Sequence, residues 1–195
     1  MSREQILNNI RRNKPEATPL AEIEFAQFHS GYDLEQWFIQ NLEAVNGTVV
    51  RLKSFDELDG SIRNEFPEAK TVVSGVRGTT IGTIALDSIT SAKDLADLDL
   101  AIIQAQFGVA ENGAVWVSDG DFVHRSIPFI ALHVAIVLNR NDIVENMHEA
   151  CVRLAEFAEG YGVFISGPSK TADIEQSLVI GAQGPLSLTV FLVGA

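Results

Sequence analysis

From Leu132 to Leu138 the chain is apolar at every position except His133, and most of those residues are branched. A strand with one wet face shows a polar residue at every second position. A strand without that alternation must be covered on both sides, as in a parallel sheet flanked by helices. This run therefore confines the chain to α/β architectures and requires crossover helices and further strands around it.

The rest of the sequence supplies them. Ser2 with Gln5 makes a capping box that opens a helix over about residues 3 to 13, ended by Pro15 and Pro19. Leu34, Trp37, Phe38, Leu42 and Val45 recur at helical spacing, and Asn46-Gly47 closes that helix ahead of a strand at Thr48 to Leu52. A helix near Phe55 to Phe66, a strand near Thr71 to Ser74 and a strand within Asp97 to Ala105 continue the alternation. Asn112-Gly113 between β-rich flanks predicts a hairpin with Glu111 beside its turn. Asp142 with Glu145 reads as a second capping box, opening a helix that runs to about Ala158 and stops at Gly160. A strand at Val163 to Ile165, a tight loop from Gly167 to Thr171, a short helix from Ala172 to Leu178 and a closing strand from Leu188 to Val193 follow. The expected fold is a three-layer α/β domain over residues 31–195, mainly parallel, with helices on both faces, a β-hairpin insertion and a helical extension at residues 1–30.

Charge narrows the partners. With 14 basic and 26 acidic side chains the formal charge is -12, a field that repels nucleic-acid phosphates and anionic membrane surfaces. The basic group Arg11, Arg12 and Lys14 reads as solvated helix surface. The one cysteine, Cys151, allows no internal disulfide and cannot furnish the thiolates of an iron–sulfur cluster, so no such cofactor is expected in this chain. The apolar run at Val134 to Leu138 falls far short of the roughly 20 residues that span a bilayer, and the cytoplasm is the expected compartment.

In open α/β sheets ligands bind beyond the carboxyl ends of the strands, which directs attention to the loop leaving Val163 to Ile165. Gly167 permits a sharp turn, Ser169 and Thr171 offer hydroxyls, Lys170 a cation, and the following helix aims free N–H groups forward; together they suit a small anion or carboxylate. The same loop also reads as an ordinary helix start capped by Ser169 or Thr171. It is not a Walker A loop, because Pro168 stands where lysine is required. Glu111 is a candidate base, acid or nucleophile, and equally an exposed hairpin glutamate. Gly75, Gly78 and Gly82 are too loosely spaced for a dinucleotide fingerprint. His133 reads as a hydrogen-bonded core histidine, and Cys151, beside His148 and Glu145, lies on an apolar stripe, so no metal site is assigned.

The run Gly167-Pro168-Ser169-Lys170-Thr171-Ala172-Asp173-Ile174-Glu175, followed by Gly181-Ala182-Gln183-Gly184-Pro185 and an apolar strand, resembles the lactate-utilisation protein C family, the LUD domain. Gly108 to Gly113 is similar to that family's glutamate-containing hairpin, and Ile127-Pro128 falls where its proline belongs. The likeness covers residues 70 to 195 well and the first 70 only in element order. It implies a fold like the ribose-5-phosphate isomerase and CoA-transferase group, and a role beside iron–sulfur partner proteins in oxidising L-lactate to pyruvate. It points to Glu111, Asp173 and Glu175 as catalytic candidates, and to Asn112, Gly113, Gly167, Ser169, Lys170, Thr171 and Gln183 as ligand-binding ones. The chain departs from the family at three of these, where threonine, arginine and histidine usually stand in place of Asn112, Lys170 and Gln183. Glutamine cannot exchange a proton near neutral pH, and lysine loses bidentate carboxylate recognition. Ala110-Glu111-Asn112-Gly113 is also similar to the motif around the nucleophilic glutamate of class I CoA-transferases, and a non-catalytic binding subunit of a complex is a further reading.

Overall fold

The computed structural model describes residues 2–19, 24–121, 124–155, 160–171 and 178–194. In chain order its elements are α1 (Arg3–Arg12), α2 (Leu34–Ala44), β1 (Thr48–Leu52), α3 (Leu58–Glu65), β2 (Val72–Ser74), β3 (Leu100–Gln104), β4 (Phe107–Val109), β5 (Ala114–Ser118), α4 (Ile127–Ile130), β6 (His133–Asn139), β7 (Ile143–Val144), α5 (Met147–Leu154), β8 (Gly162–Ile165), β9 (Lys170–Thr171), β10 (Val179–Ile180) and β11 (Ser187–Val193). Five strands form an all-parallel sheet in the order β1-β11-β6-β3-β2. The apolar run that implied such a sheet is β6, near its centre.

Period 2 divides the sheet's side chains between two cores. Val134, Ile136 and Leu138 of β6, Ala101 and Ile103 of β3, and Val190 and Leu192 of β11 pack with Phe38, Ile39 and Leu42 of α2. On the opposite face Ala135, Val137, Leu100, Ile102 and Phe191 meet Leu58 and Ile62 of α3. Helices thus cover both faces, as the sequence implied.

The hairpin grows into more than an insertion. β4 and β5 pair antiparallel, β7 joins β4 in parallel and β8 joins β5 antiparallel, giving a second sheet of order β7-β4-β5-β8. Val115 and Val117 press onto the core beneath α2, while Phe107, Val109 and Trp116 on the other face receive Ala150 and Leu154 of α5.

Two local expectations are corrected. The helix after β6 opens at Asn146, whose side chain accepts from Glu149 N, and not at Asp142. Asp142 instead accepts from the Arg153 guanidinium at 2.7 Å, because Ile143–Val144 is drawn into the small sheet beside β4 and delays the helix. Also, β8 belongs to the small sheet. All four of its residues are only half-buried, which suits an edge strand and not a slot in a sheet covered on both faces. The capping box at Ser2 and Gln5 forms as read, and α1 buries none of its residues. The helix expected over Ala172 to Leu178 lies almost wholly outside the described residues, while Lys170–Thr171, read as loop, pairs with Val179–Ile180.

Candidate functional site

The edge position of β8 relocates the loop that follows it. Its neighbours are Val45 before β1, Pro128 and Phe129 before β6, and Pro185 before β11, so it borders the amino ends of the parallel strands, not their carboxyl ends. Gly167 has φ +71, and a Cβ there would stand 2.3 Å from the Val45 carbonyl oxygen; the turn accepts only glycine. Ser169 N donates to Pro185 O at 3.0 Å and Ser169 O accepts from Gly181 N at 2.9 Å, which ties the loop to the segment carrying Gln183. Between them lies a cavity of about 240 Å3, whose lining includes Phe129, Ser166, Gly167, Ser169 and Gln183.

The hairpin reaches the same rim. Gly113, at φ +63, lies so close to α2 that a Cβ would sit 2.4 Å from Leu42 N, and Asn41 Nδ2 donates to Ala110 O at 2.8 Å. The end of α2 is thereby wedged between hairpin and loop. Ser166 Oγ closes the arrangement by donating to Asn112 O at 2.9 Å. Lys170 Nζ donates to the carbonyl of Val45, and burial pushes the lysine below its ordinary pKa. Thr171 is held in the β9–β10 ladder.

Glu111 is exposed, and its Oε1 accepts from Met147 N at 2.7 Å, so the carboxylate stands at the amino end of α5, where helix dipole and free N–H groups favour a negative charge. Neither Glu111 nor Lys170 is among the residues lining the loop cavity. The structure therefore joins Asn112, Gly113, Gly167, Ser169 and Gln183 along one rim and directs Glu111 toward α5. Asp173 and Glu175 lie outside the described residues.

Sequence reasoning missed two contributors. The end of α2, Asn41 to Val45, braces both motifs through backbone atoms, for which a sequence carries no signal. Glu145 is buried at 6% exposure although it stands among polar neighbours. Its Oε1 accepts from Ser30 N and Oγ, and its Oε2 lies 2.5 Å from His29 Nδ1. The Ser30 hydroxyl, then the imidazole, hold its pKa down at about 2, and the same carboxylate raises that of His29. His133, at the start of β6, is half-buried, makes its hydrogen bond with Ser187 Oγ at 2.7 Å, and is pushed below its ordinary pKa by burial.

The fold and rim define a three-layer α/β protein with a small cavity at the amino edge of its parallel sheet. Residues 87–193, more than half of the chain, match the LUD domain family model, and the chain belongs to that family. It is 29% identical over 147 residues to lactate utilization protein C of Geobacillus sp. (strain WCH70), covering 71% of this chain and 58% of that one. To the protein of the same name from Halalkalibacterium halodurans it is 31% identical over 101 residues, covering 49% and 44%. The chain thus spans about half the length of the curated relatives it matches. A crystal structure of a DUF162 family protein from Deinococcus radiodurans superposes with a TM-score of 0.63 at 16% identity, covering 89% of this chain and all of that one, which shows a shared fold. No helix among the described residues is long and apolar enough to cross a membrane.

Proposed function

We propose that this chain is a lactate-utilisation subunit of the cytoplasm that binds a small carboxylate at the rim between hairpin and loop and works with iron–sulfur partner proteins in oxidising L-lactate to pyruvate. The observation that carries the reading is the Ser166 to Asn112 hydrogen bond, which binds the two motifs into one rim beside a cavity of about 240 Å3, of a size for a three-carbon acid. Relatives named lactate utilization protein C support the substrate class. The electron-carrying clusters reside on the partners, since the single cysteine here, Cys151, cannot bind one.

Isothermal titration of the chain with L-lactate and pyruvate tests the binding step. Lys170→Ala weakens carboxylate affinity by about 1 to 3 kcal/mol where the ammonium turns from the Val45 carbonyl to the ligand; unchanged affinity leaves Lys170 outside the site, and no binding of either acid removes the reading. Lactate-dependent reduction of an electron acceptor by a mixture with the iron–sulfur proteins, but not by this chain alone, assigns it a binding role within a complex.

A second reading rests on Glu111, whose exposed carboxylate is steadied by one backbone N–H. Attack of the carboxylate on an acyl-CoA would form an acyl-glutamyl anhydride and expel CoA thiolate. The thiolate would then attack the glutamyl carbonyl, releasing the free acid and leaving a covalent glutamyl-CoA thioester. Mass spectrometry after incubation with acyl-CoA thioesters decides it, and the absence of an adduct at Glu111 removes the transferase reading.

A further inference from the structure

Behind the hairpin, where the segment before α2 crosses the start of α5, the side chains of His29, Glu145 and Glu149 converge. One nitrogen or oxygen from each lies within 4.8 Å of the others. His29 Nδ1 is 2.5 Å from Glu145 Oε2 and 3.9 Å from Glu149 Oε1. At 2.5 Å the His29 Nδ1–H donates to Glu145 Oε2, and a metal ion binding there would take the place of that proton, with Glu149 Oε1 within reach as the third ligand.

The surrounding donors leave the right oxygens free. Ser30 N and Oγ both donate to Glu145 Oε1, which turns Oε2 toward the imidazole. Glu145 N donates to Glu149 Oε2 at 2.9 Å, which leaves Oε1 on the same side. Such outer hydrogen bonds orient metal ligands in advance. An imidazole with two carboxylates is a mixed N/O set suited to zinc and its first-row neighbours; bonds of about 2.0 to 2.2 Å place adjacent ligand atoms roughly 3.4 Å apart in a tetrahedron, so the exposed His29 ring must turn away from Glu145 by about 1 Å to admit an ion in place of the proton.

We infer that His29, Glu145 and Glu149 form a binding site for a single divalent transition-metal ion, of which zinc is the representative probe. Three protein ligands leave at least one position open, on the side where His29 and Glu149 are not buried. The site adjoins the family hairpin, since Glu111 N donates to Glu145 O at 3.1 Å. It stands apart from the carboxylate-binding proposal, because none of its three residues lines the loop cavity.

The test is zinc titration by calorimetry of the whole chain after removal of metal with a chelator, with X-ray absorption on the loaded protein. One ion per chain is expected, with one nitrogen and two carboxylate oxygens at about 2.0 to 2.2 Å and no sulfur. His29→Ala, at an exposed side chain, and Glu149→Gln each lower zinc affinity by roughly 100-fold, while Cys151→Ser and His148→Ala leave it unchanged. Unaltered affinity in His29→Ala, a sulfur neighbour, or no uptake of zinc by the wild-type chain would overturn the assignment and leave His29 and Glu145 a proton-bridged pair.

Discussion

Strands β6 and β11 each bury five consecutive residues, whereas β8, at the edge of the four-stranded sheet, buries none completely. Both regions are rich in branched and aromatic side chains, so the contrast lies in what covers them. The centre of the large sheet is pressed between α2 and α3 and holds the fold. The small sheet is covered too, by the core beneath α2 on one face and by α5 on the other, but its edge strand β8 and its turns stand at an open rim, free to carry polar groups. Cohesion and candidate chemistry are thus housed in different sheets, with the end of α2 braced against both.

The comparison breaks first at its apolar side. Phe191, fully buried in β11, costs about 3 to 5 kcal/mol when replaced by alanine, read as a fall in the urea midpoint at unchanged slope. A loss near that of a surface change would mean the two sheets do not differ in this way. At the rim, Gly167→Ala meets the Val45 carbonyl and costs about 1 to 3 kcal/mol, with proteolytic susceptibility rising at the loop and unchanged in β6 and β11.

A smaller effect separates the buried carboxylate from the core. The pKa of Glu145 falls from 4.5 to about 2 on folding, so its contribution is complete above pH 4.5 and is lost as pH falls toward 2. His29 is raised above 6.5, so its part is full below pH 6.5 and is lost as pH rises through the folded value. In urea midpoints against pH, Glu145→Gln flattens the acid limb and His29→Ala the alkaline one; parallel curves for wild type and variants would show no linkage. Least of all, removing α1, which buries nothing, shifts stability by no more than about 0.5 kcal/mol in the same assay.

Much of the large sheet was legible because its signals are local. The apolar run at Leu132 to Leu138, the cap at Asn46-Gly47 and the box at Ser2 and Gln5 each act over a few residues, and each forms. The errors came where distant segments compete. The box read at Asp142 and Glu145 has the right residues at the right spacing, but a strand pairing with β4 and an ion pair with Arg153 claim that segment first. The spacing of Glu145 and Glu149 was visible as well, but their third partner, His29, stands 116 positions from Glu145.

By itself the sequence determined the class of fold, the parallel sheet and the motifs of the LUD family, because periodicity, capping and turn chemistry are set by neighbours along the chain. Only the tertiary structure decided that β8 leaves the large sheet, that its loop borders the amino ends of the strands, that Glu111 turns to α5, and that His29 meets Glu145. Those outcomes depend on which surfaces remain to be covered once the central strands have paired, and a linear pattern carries no record of that competition.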